Sequence, residues 1–116
     1  MARPTALFLG LLALGAGSGC NRKQAESGPL AEAKHLYDSV CAKCHGRDGR
    51  GGVPSAEGQP APRNFQDPAF HASRSDDDLK LAIRKGKGPM PPFGAMVDDV
   101  QTANLVLYIR SFNAKK

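Results

Sequence analysis

Cys41-Ala42-Lys43-Cys44-His45, within SVCAKCHGRDGRGG at residues 39–52, is the stretch on which the reading of this chain turns. Two thiols three residues apart share one side of a helical turn. At that spacing each can add across one of the two vinyl groups on a porphyrin edge. The next residue then projects beneath the ring, where its imidazole reaches the iron. C-x-x-C-H is therefore read as the attachment point of one covalent haem, with Cys41 and Cys44 as the thioether residues and His45 as the proximal ligand. Two rival readings share the same residues. C-x-x-C is also half of a zinc site, but a closed site takes four ligands, and His35 and His71 carry no paired spacing. A redox dithiol is the second rival, and it belongs to a βαβ setting that no alternating strand pattern supports here.

Upstream of the motif, Leu30, Ala33, Leu36, Tyr37 and Val40 recur at helical spacing behind Pro29, a good first helical residue. One apolar helix is expected to run from Pro29 into the motif and to stop near Gly46. Downstream, residues 46–74 hold five glycines together with Pro54, Pro60, Pro62 and Pro68. That density forbids a long helix or a central strand. A loop of this length wraps something or carries function, and Phe65 and Phe70 are its expected anchors.

Ser75-Asp76-Asp77-Asp78 reads as a capped helix start with acids in the first turn. Leu79, Ala82 and Ile83 give that helix its apolar face, and Lys85-Gly86 ends it. Residues 86–96 form a second Pro/Gly loop. Asp98 and Asp99 open a last helix whose apolar face is assigned to Val100, Ala103, Leu105, Val106, Tyr108, Ile109 and Phe112. The fold class is all-α: a small domain of three or more helices, with long Pro/Gly loops wrapped around one haem.

A sixth iron ligand is sought in the second loop, at Gly88-Pro89-Met90-Pro91-Pro92-Phe93. The prolines limit the entropy lost in presenting Met90. A thioether is a soft ligand that favours reduced iron and raises the potential. Met96, just before the last helix, is the alternative, in a place where methionine more often fills core. His35 is read as a surface side chain, and His71, in the wrapping loop, as a lesser candidate for the iron.

Residues 1–19 read as an export signal: Arg3, then the apolar run Ala6–Ala16, then Gly17, Ser18 and Gly19 ahead of Cys20. The run is about 11 residues against the roughly 20 needed to span a bilayer, which separates it from a transmembrane anchor. Cys20 in that position resembles the lipidated first residue of bacterial lipoproteins, although Gly17 stands where that signal usually has an aliphatic residue. Residues 20–29 read as a polar tether and 30–116 as the domain. Location is thus outside the cytoplasm, periplasmic or periplasm-facing, with lipid attachment as the one expected membrane contact.

The mature domain has fewer than 100 residues and no Trp. Domains this small have thin cores and often need a cofactor, metal or disulfide. The net charge is +5, or +4 once Arg3 leaves with the signal. That is too little for a nucleic-acid binder. It suits docking to acidic protein partners, and Lys43, Arg47, Lys85 and Lys87 flank the segments expected to carry the haem.

Taken in order, Leu36-Tyr37, Cys41, Cys44-His45-Gly46, Asp78-Leu79 through Ile83 to Gly86, Met90-Pro91-Pro92-Phe93, and Leu105, Tyr108 and Ile109 resemble the class I monohaem cytochromes c. The likeness covers about residues 30–113. It extends to the bacterial group allied to cytochrome c6 and to the haem-c domains of respiratory oxidases. The resemblance implies that the first and last helices cross closely, with Ala33 where the family most often has Gly, and with Leu105 and Tyr108 opposite. It implies a proline carbonyl accepting the other N–H of the proximal imidazole, for which Pro62 is preferred over Pro54 and Pro60. It implies a monomeric one-electron carrier, not an enzyme, with His/Met axial ligation. The alternatives are the haem subunit of a larger respiratory complex, and a gas-binding or peroxidatic haem protein should the methionine be labile.

Overall fold

The computed structural model describes residues 27–113. The expected export signal at 1–19, Cys20 and most of the tether at 20–29 lie outside the described residues. Helix α1 spans Pro29–Leu36, with Pro29 at its first position, where the missing N–H costs nothing. It does not end there. Tyr37–Cys41 continues it as a single π-turn, closed by the Ala42 N–H on the Tyr37 carbonyl, and α2 completes the run over Ala42–His45. Gly46, at φ 77°, stops it. The expected helix from Pro29 to Gly46 is therefore present, but with a widened turn that ends on the first cysteine, Cys41.

The expectation of an unstructured loop over residues 46–74 needs correction. Pro68–Ala72 forms a short helix, α3, in which the Asp67 side chain accepts from Ala69 N at 2.9 Å. Pro68 sits at the helix start, so it initiates where its neighbours break. Phe65 and Phe70 are both buried, as expected of anchors.

Helix α4, Asp76–Lys85, and helix α5, Asp99–Ser111, each begin with a reciprocal capping box. Ser75 pairs with Asp78 in the first, and Asp98 with Gln101 in the second. The most extensive helix–helix contact is between α1 and α5, the crossing that the resemblance implied. Ala33, Leu105 and Tyr108 are all buried. Tyr37 lies at the centre of the core, its ring 5.2 Å from Tyr108 and 5.3 Å from Phe112.

Two assigned apolar positions are solvent-facing. Leu30 is 50% exposed and Val100 is 69% exposed. Leu30 lies on the opening turn of α1, before the buried Ala33. Val100 is about 140° round the helix from Leu105, off the stripe of Thr102, Leu105, Val106 and Ile109. Buried Thr102 takes a place on that stripe because its hydroxyl donates to the Asp98 carbonyl at 2.6 Å.

Candidate functional site

The motif residues sit where α1 gives way to the first loop. Cys41 caps α2 and is half-buried, Cys44 is exposed, and both are free thiols. Burial pushes the Cys41 thiol up to about 11, and the neighbouring Cys44 adds to the rise. A thiol held protonated in this way is the opposite of the low-pKa thiolate that a redox dithiol requires. Among the described residues no group of three or more His, Cys, Asp or Glu is placed to hold a metal ion, so the zinc reading finds no completing ligands.

His45 ends α2, and two contacts fix its ring. Nδ1–H donates to the Arg63 carbonyl at 3.3 Å, and the ring stacks on Phe65 with centroids 4.4 Å apart and planes 17° from parallel. Burial lowers the imidazole's pKa, against an opposing pull from the Arg63 carbonyl. A neutral ring with its proton on Nδ1 leaves the Nε2 lone pair for a metal. The carbonyl is one residue later than expected: it belongs to Arg63, not Pro62. The Pro62 carbonyl faces Gly51 instead, so closely that a Cβ on Gly51, at φ 66°, would lie 2.2 Å from it.

The backbone around His45 is held as well. Gly51 N–H donates to the His45 carbonyl at 2.7 Å, and the Tyr37 hydroxyl donates to the Gly46 carbonyl at 2.8 Å. Sequence reading placed Tyr37 only on an apolar face. Its hydroxyl role was hidden because its acceptor is a backbone atom nine residues away.

The second loop folds back on the end of α4. Phe93 N–H and Gly94 N–H donate to the Ile83 and Arg84 carbonyls at 2.9 and 3.1 Å, satisfying groups left open at the helix end. Lys87 and Met90 exchange a pair of backbone hydrogen bonds, both 3.1 Å. Met90 is half-buried and packs against the same core as Cys41. Met96 is 63% exposed and fills no core. His35 is exposed, in keeping with a surface role. His71 is engaged at both ring nitrogens, by the Phe65 carbonyl and by Arg110, which leaves none for iron. Lys43, Arg47, Lys85 and Lys87 are all exposed.

These residues fit a covalently held haem: two free thiols one helical turn apart, an adjacent imidazole with a committed Nδ1, and a thioether on the same core. The family model described as cytochrome c oxidase, cbb3-type, subunit III matches residues 28–109. The chain is similar to the cbb3-type cytochrome c oxidase subunit CcoP of Azospirillum sp. (strain B510), 27% identical over 97 residues that cover 83% of this chain and 33% of the relative. It thus spans about a third of that protein's length. It is also similar to cytochrome c6 of Chlorolobion braunii, 30% identical over 81 residues that cover 69% of this chain and 86% of the relative. Among solved structures, the KustC0563 c-type cytochrome resembles it with a TM-score of 0.61 at 32% identity, covering 69% of this chain and 95% of the other.

Proposed function

The chain belongs to the cytochrome c family represented by subunit III of the cbb3-type oxidases, and from that membership we propose that it is a carrier of single electrons outside the cytoplasm. Haem-based electron transfer is the work of that family. In our reading Cys41 and Cys44 hold one haem c through thioether bonds, and His45 and Met90 are the axial ligands. Bound there, the haem supplies a one-electron couple between Fe(III) and Fe(II), with no bond made to a substrate.

The observation that carries the proposal is the state of His45. Its Nδ1–H is given to the Arg63 carbonyl, so the ring is oriented and its Nε2 carries the lone pair. Phe65 covers one face of that ring and keeps water from it. Met90 contributes a soft thioether, which favours reduced iron. Lys43, Arg47, Lys85 and Lys87 offer exposed cations to acidic redox partners and act on encounter rate more than on affinity. Export by residues 1–19, a lipid on Cys20, a tether over 20–29 and a monomeric domain over 30–116 complete the reading.

A second reading, the haem-bearing part of a larger respiratory oxidase, is favoured by the similarity to CcoP. Co-purification of a catalytic subunit from the native membrane would select it.

The test is to express the chain in a host competent for haem ligation and measure intact mass and colour after acid–acetone extraction. Haem should stay with the wild-type protein and be lost from the Cys41→Ala/Cys44→Ala double variant. Colourless wild-type material with both thiols open to alkylation would overturn the proposal.

A further inference from the structure

We propose that Arg110 and His71 are positioning residues for the His45 imidazole, acting through the segment Arg63–Phe65. This rests on the reading of His45 as the iron ligand. Both contacts that fix the imidazole come from that one segment: the Arg63 carbonyl holds its Nδ1 edge, and the Phe65 ring holds its face. Whatever holds Arg63–Phe65 therefore sets the ring.

At its N–H, Phe65 is tied to the proximal loop, donating to the Gly49 carbonyl at 2.7 Å. Its carbonyl is tied elsewhere, accepting from His71 Nε2–H at 2.6 Å. His71 is held in turn by Arg110 on α5. The Arg110 guanidinium has five N–H donors, and four of them are hydrogen-bonded. Nε–H goes to Asp76 Oδ1 at 2.9 Å, and Nη2 forms an ion pair with the same oxygen at 2.8 Å. Nη2 donates to the Arg74 carbonyl at 2.7 Å. Nη1 donates to the His71 carbonyl and to His71 Nδ1, both at 3.1 Å.

A guanidinium only donates, so Nδ1 of His71 must accept, and its proton must sit on Nε2. That is the tautomer that reaches Phe65. Arg110 thus fixes both the place and the polarity of the bond His71 makes. The side chain is only 26% exposed, so these bonds are poorly replaced by water. The last helix, which touches the proximal loop through its core face, gains by this route a second hold on the ligand ring.

The test uses haem-loaded His71→Ala and Arg110→Leu, with His71→Gln as the rescue, since its amide still offers one donor and one acceptor. Asp98→Ala, which removes the α5 cap without touching the relay, is the control for lost stability. Released, Phe65 should open the proximal side to water, which favours the ferric charge. His71→Ala and Arg110→Leu should shift the ferric-to-ferrous equilibrium about threefold toward ferric, roughly 30 mV at 59 mV per tenfold. They should also move the paramagnetically shifted NMR resonances of the His45 ring in the ferric protein. His71→Gln should restore most of both, and Asp98→Ala should change neither. Should Arg110→Leu not fold, Arg110→Lys, which lacks the planar fork, is read in the same way. Folded His71→Ala with a lower melting point but an unmoved potential and unmoved His45 resonances would overturn the inference. Shifted imidazole resonances that are absent from the wild type, or that survive His45→Ala, would instead defeat the ligand assignment and take this inference with it.

Discussion

Replacing Tyr37 with phenylalanine removes one oxygen from the centre of the core, and the structure sets the cost. The residue is 0% exposed, and its hydroxyl donates to the Gly46 carbonyl at 2.8 Å. That carbonyl also accepts from Gly49 N–H at 3.1 Å, so it keeps a partner in the variant. The loss is then one net hydrogen bond, about 1 kcal/mol, and not the larger penalty of a stranded buried group. For a domain of this size that is a fall of about 4–8 °C in melting temperature.

Alkaline pH makes the test sharper. Burial holds the Tyr37 hydroxyl far above its ordinary value. The folded protein keeps this proton above pH 10 while the unfolded chain gives it up, so the unfolded state binds fewer protons. Stability from this group is whole below about pH 10 and is lost above it, at about 1.4 kcal/mol per pH unit. The phenylalanine variant carries no such proton. The deficit of Tyr37→Phe should therefore be constant from pH 7 to 9, shrink above 10, and vanish near pH 11. Guanidinium unfolding of both haem-loaded proteins at each pH measures it. A deficit that stays constant to pH 11 would refute the buried, proton-retaining hydroxyl.

Two further outcomes concern the second loop. Met90→Ala should lose the sulfur-to-iron absorption band, lower the potential and let the reduced protein bind carbon monoxide, while Met96→Ala, at an exposed site, should do none of these; the reverse pattern moves the ligand to Met96. Gly86→Ala places a Cβ at φ 75° and 2.5 Å from the Met90 carbonyl. It should cost about 1–3 kcal/mol in thermal unfolding and weaken the same band. Gly88→Ala, with open space around it, should cost less and leave the band in place; equal effects from the two would remove the steric argument.

Several features were legible because they are local. Both capping boxes start with a residue that could be named from the chain, Ser75 and Asp98, since cap and helix are adjacent. Cys41, Cys44 and His45 were legible as a candidate site because the spacing of two thiols and the imidazole beside them are properties of one helical turn. Pro68 was misread for a reason equally local: the same fixed φ that breaks a helix interior begins one, and only Asp67 as a cap separates the cases. The π-turn at Tyr37–Cys41 left no mark, because one extra residue in a turn does not disturb so short an apolar pattern.

What the sequence determined by itself was every helix but α3, the starts of those helices, and the chemical groups offered to a haem. That Leu30 and Val100 fall outside the buried faces of α1 and α5, that the carbonyl behind His45 is Arg63's, and that Arg110 and His71 brace Phe65 were decided only in three dimensions. The Arg63–His45 and Arg110–His71 contacts join residues 18 and 39 positions apart. Periodicity and spacing report on neighbours within a turn or two. They hold no record of which backbone carbonyl a folded loop turns toward a ring, or which distant guanidinium reaches it.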